Sequence, residues 1–317
     1  MEYIYGSTDF KYHNTCVTLG KFDGLHRGHQ LLLSELAKFE QQGLTSVMFT
    51  FDYHPGNLFS EKEIDLIYTE EEKKELLSRL GPKVLISYPF TEETASMEPE
   101  DFIKEVLIGK LDAKAIVIGA DYRFGRKRKG DAALLKKYSI MYGYELVICE
   151  KLTYHDNVIS STRIREELKN GQMESVNEML GHPYTIMGTV VTGNKIGRTI
   201  GVPTVNLLPA EHKLLPPNGV YASIIKFQEN TYYGVTNIGY KPTVGAGQKL
   251  GVETHIFGFT GDLYGKIIEV ELYRYERPET KFTSIEELKQ RVQLDIQNVK
   301  EFFARGCYAD NTTQSRE

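Results

Sequence analysis

Up to Leu180-Gly181, short β-branched runs alternate with helix-length amphipathic segments, and after that the alternation stops. Cys16 to Leu19, Thr45 to Phe51 (TSVMFTF), KVLISYPF, Ala115 to Gly119 (AIVIG) and YELVICE read as strands. Between them, Leu32, Leu33, Leu36 and Phe39 recur at helical spacing, and Glu70 to Gly81, PEDFIKEVLIGKL and the segment after Gly130 read as helices. Strands joined by helices of this length predict right-handed βαβ units and a parallel sheet, whose ligands gather beyond the carboxyl ends of strands. The stretches Gly20 to His29 and Gly119 to Gly125 both fall at such ends. His182-Pro183 breaks the last helical segment. From Tyr184 to about Tyr275 the chain reads as strands and turns, the pattern of a small barrel or sandwich. Ser284-Ile-Glu-Glu287 has capping-box spacing and opens a final helix; the tail after Gly306 is polar. The expected divisions are residues 1–182, 183–305 and a tail of 306–317.

A chain of 317 residues has room for two domains of ordinary size. Its net charge of −5 argues against a surface built wholly to grip nucleic acid. No apolar run is long enough to span a bilayer, so no membrane association is expected, and the acidic, polar start MEYIYGSTDF does not read as a secretory signal. The three cysteines, Cys16, Cys149 and Cys307, are widely spaced and fit no metal motif, which suits a reducing, cytoplasmic setting. Self-association is left open.

The stretch GKFDGLHRGHQ (Gly20 to Gln30) follows a strand and opens a helix. A helix N-terminus offers unpaired N–H groups to an anion, and Gly24 and Gly28 let a phosphate approach the backbone. His26 and His29, at i and i+3, lie on one helix face and can donate to phosphate oxygens as charge builds. That arrangement suits nucleotidyl transfer without a protein nucleophile. Capping or surface histidines are the plainer alternative; the spacing matches no standard zinc motif. In GADYRFGRKRKGD, Asp121 is positioned to bind a ribose, a base edge or a metal. Arg126 to Lys129 reads as a mobile basic loop: a lid over a triphosphate, a solvated charge run or a nucleic-acid patch. In ISSTRIREELKNG, Ser160, Ser161 and Thr162 are ordinary helix caps, but Arg163 and Arg165 oppose the helix dipole unless they meet an anion.

At these residues the chain resembles the prokaryotic bifunctional riboflavin kinase/FAD synthetases. The pattern G-x-F-D-G-x-H-x-G-H-Q is matched by Gly20, Phe22, Asp23, Gly24, His26, Gly28, His29 and Gln30, and ISST-x-IR by Ile159 to Thr162 with Ile164 and Arg165. The second half resembles the kinase module through GNKIGRTIGVPTVNL, with Gly193, Gly197, Arg198, Gly201, Pro203, Thr204 and Asn206. Glu253, in VETHIFGF, aligns with the family's catalytic base; read alone it is an outward residue of an alternating strand. Two departures stand out: PTAN reads PTVN, with Val205 adding bulk, and Ile196 stands where a basic residue is common.

The resemblance implies an α/β Rossmann-like nucleotidyltransferase domain followed by a mainly-β, six-stranded barrel with a C-terminal helix. It implies phosphorylation of riboflavin to FMN by ATP, then adenylylation of FMN to FAD with release of pyrophosphate, both with Mg²⁺. His26, His29 and Glu253 are then catalytic. Gly20, Phe22, Asp23, Gly24, Gly28, Asp121, Ser161, Thr162, Arg165, Gly193, Lys195, Gly197 and Thr204 bind nucleotide or phosphate, and Thr204 and Asn206 hold the metal. Two alternatives remain at this level: an adenylyltransferase with a silent kinase module, and a flavin-sensing regulator that binds nucleic acid through Arg126 to Lys129.

Overall fold

The computed structural model describes residues 1–52, 64–193, 196–242 and 248–306. The chain forms two compact units, Met1–Ser161 and Thr162–Glu317. In the first, strands β1 (Glu2–Tyr5), β2 (Thr15–Leu19), β3 (Thr45–Phe51), β4 (Val84–Tyr88), β5 (Ala113–Gly119) and β6 (Glu145–Cys149) make one sheet in the order β1-β4-β3-β2-β5-β6. Every neighbouring pair is parallel. Among the described residues the α-helices are α1 (Arg27–Gln41), α2 (Glu70–Leu80), the short α3 (Glu92–Ser96), α4 (Pro99–Asp101) and α5 (Ala132–Tyr142); α4 runs directly into a π-helical stretch, Phe102–Lys110, and a 3-10 turn covers Arg126–Arg128.

Alternate strand residues serve opposite faces, and both faces are covered. Val17, Leu19, Val47, Phe49, Ile116 and Ile118 pack against Phe102, Ile103 and Val106 of the π-helical stretch and Leu135 of α5. Cys16, Met48, Leu85, Ala115 and Val117 pack against Leu32, Leu33, Leu36 and Phe39 of α1 and Leu77 of α2. Each of those α1 side chains contributes about 1.5–3 kcal/mol by leaving water. That is why the strands read as nearly continuous apolar runs. The winding reverses between β2 and β5, so the crevice beyond their carboxyl ends is the switch point where ligands of open α/β sheets bind. The edge strand β1 escapes the sequence reading: only its middle residues are half-buried, too short a pattern to stand out.

A small hairpin, β7 (Thr153–Tyr154) and β8 (Asn157–Val158), leads to α6 (Ser161–Lys169). The second unit continues with α7 (Met173–Leu180), β9 (Tyr184–Val191), α8 (Ile196–Thr199), β10 (Val205–Leu207), β11 (Gly219–Phe227), β12 (Asn230–Pro242), β13 (Gln248–Ile256), β14 (Ile267–Pro278) and α9 (Ile285–Arg305). The strands close an antiparallel barrel in the order β10-β13-β12-β11-β14-β9, which resolves the choice between barrel and sandwich. Val299 and Phe303 of α9 seal one side, with the Phe303 ring stacked on Tyr233 at 4.5 Å. Ser284 caps α9 by accepting from the Glu287 N–H; Glu287 returns to the Thr283 N–H and hydroxyl, one residue earlier than a full capping box requires.

The change of rhythm at residue 182 marks where the barrel strands begin, while the compact unit begins twenty residues earlier, at Thr162. The physical cause is α7, which buries Met173, Val176, Met179 and Leu180. The Asn177 amide donates to the Leu272 carbonyl and accepts from the Tyr184 N–H, each at 2.8 Å.

Candidate functional site

After β2 the backbone crosses three left-handed conformations, at Phe22 (φ 50°), Gly24 (φ 86°) and Leu25 (φ 44°), before reaching α1. His26 is the N-cap of α1 but makes no side-chain capping bond, and no acidic residue occupies the first turn. The helix start is therefore free to receive an anion. The His26 and His29 rings stack, with centroids 3.7 Å apart and planes at 17°, and Phe22 meets His29 edge-on at 5.1 Å. Gly28 has a reason the spacing does not reveal: a Cβ there would stand 3.1 Å from Cε1 and Nδ1 of His26, crowding the stacked ring.

Both imidazoles are held neutral. Burial pushes His26 down to about 4, opposed by the charge of Asp23. Burial, then His26, then Lys73 hold His29 well below the usual histidine value. Nδ1 of each ring is buried without a hydrogen-bond partner among the described residues, at a cost of about 1–3 kcal/mol per group.

A pH dependence of stability follows. The unfolded chain protonates these rings as pH falls through about 6.5, whereas folded His26 does so only near 4, so acid favours unfolding across that window. Urea melts at pH 7.5 and pH 5.5 should show a loss of stability that His26→Ala reduces. An equal loss in that variant would assign the effect to other groups.

Around the pair, Asp23 is buried, its Oδ1 accepting from the Ile67 N–H at 3.0 Å. Ser161, first residue of α6, donates its hydroxyl proton to the Asp23 carbonyl at 2.8 Å. Thr162 and Arg165 follow on α6, in the second unit. Gln30 ties the loop from the other side, donating to the Leu25 carbonyl at 2.9 Å. A Cβ on Gly20 would meet the Phe22 ring at 3.0 Å. Asp121, beyond β5, is exposed and paired with Lys151 at 2.7 Å. The basic run is not a loose lid: a bridge between Phe124 and Gly130 closes it, and Glu98 pairs with Arg126 at 3.0 Å and Lys129 at 3.8 Å. Gly125 and Gly130 are needed there because a Cβ on either would strike Pro99 at 2.8 Å.

In the barrel, β10 lies between β9 and β13, and register sets Asn206 opposite Glu253. Thr204 donates to Glu253 Oε1 at 2.5 Å. Asn206 is buried, and a Cβ on Gly193 would stand 2.3 Å from its Nδ2. Gly197 is equally constrained, at 2.2 Å from the Val202 carbonyl oxygen. His255, which the sequence reading passed over, holds the Pro203 carbonyl through Nδ1 at 2.8 Å and so fixes the residue before Thr204. Strand alternation turns Val205 to the face opposite Asn206, so its extra bulk lies away from these oxygens. Lys195 lies outside the described residues, as does the side chain of Ile196.

Gly193→Ala should push the Asn206 amide out of place. The expected result is a roughly 10–100-fold rise in the Mg²⁺ needed for half-maximal riboflavin phosphorylation, with FAD formation from FMN unchanged. Magnesium titration of both rates checks it.

The fold is thus a parallel α/β sheet with a histidine pair at its switch point, followed by a closed six-stranded barrel that carries Thr204, Asn206 and Glu253. A family model described as FAD synthetase matches residues 9–163, and one described as riboflavin kinase matches residues 180–303. The chain belongs to the bifunctional riboflavin kinase/FMN adenylyltransferase family. The protein of that description from Listeria monocytogenes is 36% identical, over 92% of this chain and 93% of its own length. That from Bacillus subtilis is 38% identical, over 91% and 92%. A solved structure described as a macrolide-efflux protein from Streptococcus pneumoniae is 31% identical with a TM-score of 0.85, covering 94% of this chain and 98% of that one. Among the described residues of this chain, no helix is long and apolar enough to cross a membrane.

Proposed function

We propose that the barrel phosphorylates riboflavin at the expense of ATP and that the parallel-sheet unit joins the resulting FMN to the AMP moiety of a second ATP, releasing pyrophosphate. The observation that carries this reading is the pair of stacked, neutral imidazoles at an uncapped helix N-terminus, their Nδ1 atoms without a hydrogen-bond partner among the described residues, accompanied in the same chain by the Thr204–Asn206–Glu253 cluster.

In adenylyl transfer, His26 and His29 donate to oxygens of the α-phosphate as it becomes five-coordinate, and the α1 N-terminus supplies N–H groups. Thr162 and Arg165 are assigned to the remaining phosphates, and Asp121 to the nucleotide or flavin. In the kinase step, Glu253 takes the proton of the ribityl 5′-hydroxyl as that oxygen attacks the γ-phosphorus. Thr204 Oγ1 and Asn206 Oδ1 are hard oxygen donors and would hold Mg²⁺ that arrives with ATP. The metal supplies charge neutralisation on the phosphates. Gly193 and Gly197 are assigned to the phosphate-facing backbone, and Lys195 is assigned to phosphate by the motif alone. The free, buried Cys16 and Cys149 support a reducing cytoplasmic setting.

The test is a time course with riboflavin, ATP and Mg²⁺, run beside one with FMN, ATP and Mg²⁺. FMN followed by FAD in the first, and FAD in the second, is the expected result. FAD only from added FMN would leave the kinase module silent. Conversion in neither would overturn the reading, and salt-sensitive nucleic-acid binding would then favour the regulator.

A further inference from the structure

Asp23 sits in a motif otherwise suited to phosphate, yet a carboxylate there has the wrong sign. At contact distance from a triphosphate it would repel the substrate it is supposed to hold. The structure shows what it does instead. The side chain is 5% exposed, and its Oδ1 takes the Ile67 N–H at 3.0 Å. Its main-chain carbonyl takes the Ser161 hydroxyl at 2.8 Å. Ile67 lies two residues before Thr69, which caps α2 through a full capping box with Glu72. That cap fixes Lys73, buried and paired with Glu70 at 2.9 Å. Glu70 is itself held by Tyr3 and Ser87. Asp23 thus ties the histidine loop to the ordered lead-in of α2 on one side and to the first residue of α6 on the other.

The loop needs such ties. Phe22 and Leu25 are left-handed without being glycine, at a cost of about 1–2 kcal/mol each, and strain of this kind persists only where surrounding bonds over-determine it. Asp23 lies between them, three residues before His26. We propose that Asp23 is a positioning residue for adenylyl transfer, a brace that holds the strained loop so that the stacked histidines are presented in one geometry, and that it does not contact phosphate. This rests on the adenylyltransferase reading of the site. The charge of Asp23 also opposes the effect of burial on His26, a second way in which it conditions that ring without touching substrate.

The experiment compares the full-length wild type with Asp23→Ala, Asp23→Asn and Ser161→Ala, measuring kcat and the KM for ATP with FMN as substrate and the riboflavin-to-FMN rate in each. Asp23→Ala should lower kcat for FAD formation roughly 10–100-fold while the KM for ATP stays within about threefold. Asp23→Asn, whose amide oxygen still accepts the Ile67 N–H, should recover most of that loss. Ser161→Ala, which cuts only the other tie, should lower kcat several-fold at an unchanged KM. A KM change at constant kcat, or an asparagine variant as damaged as the alanine one, overturns the brace. If Asp23→Ala also loses riboflavin phosphorylation, it has not folded, and the asparagine and Ser161 variants decide. A wild type that forms no FAD from FMN overturns the underlying reading, and the brace with it. Normal wild-type turnover with insensitive variants overturns the brace alone.

Discussion

Replacing His26 with alanine is expected to slow FAD formation from FMN by roughly 10²–10³-fold, the usual cost of removing one preorganised donor to a developing phosphate or oxyanion charge. Riboflavin should still be converted to FMN at the wild-type rate, because the residues assigned to that step lie in the barrel. The size of the effect follows from how the ring is held. His26 is buried, stacked on His29 and neutral in the free protein, so its donor is fixed before substrate arrives. Alanine removes that donor and also takes away the stacking partner that holds His29 in place. His29→Ala should therefore be nearly as damaging, and the double variant little worse than either, since the two rings act as one unit. The measurement is kcat/KM with FMN as the supplied substrate, so that the assay does not depend on the kinase step. A loss confined to KM for ATP, with kcat intact, would reduce the pair to ground-state binding.

Much of this centre is legible in the sequence because it is local. The strand, the glycines, the two histidines and the helix start fall within eleven consecutive residues, so chain order alone brings them together. What the sequence does not carry is which way each group turns. Asp23 stands among residues that the motif assigns to phosphate, and only the fold reveals that its carboxylate faces the Ile67 N–H. Gly28 looks like an opening for a ligand and is also the space that the His26 ring requires. The basic run Arg126 to Lys129 reads as a loose lid because charge and flanking glycines suggest one. Glu98, distant in sequence, and Pro99, against which those glycines pack, tie it down instead.

The barrel is less legible for a related reason. Thr204 and Asn206 are separated from Glu253 by two long strands, and nothing in the alternation of β13 distinguishes Glu253 from an outward-facing carboxylate. Register makes the difference: Asn206 pairs with Glu253 and Glu253 pairs with Asn237, so three polar residues of separate strands line one face. Register also turns the bulk of Val205 away from that face, since one step along β10 moves a side chain to the other side.

That geometry sharpens the second large effect, expected for Glu253→Gln. Glutamine keeps an oxygen to accept the Thr204 hydroxyl and so preserves the arrangement around Thr204 and Asn206, but it cannot take a proton. If Glu253 is the base, kcat for riboflavin phosphorylation should fall roughly 10²–10⁴-fold with the KM for ATP nearly unchanged, and FMN should still be converted to FAD at the wild-type rate. Glu253→Ala should add a rise in the KM for Mg-ATP, because the Thr204 hydroxyl loses its acceptor and is free to turn. The two variants thus separate proton abstraction from the holding of Thr204. If glutamine instead retains wild-type kcat, Glu253 serves only to orient Thr204, and the ribityl proton must leave by way of the phosphate or solvent. Steady-state rates with riboflavin varied at saturating ATP, and then with ATP varied at saturating riboflavin, distinguish the two outcomes.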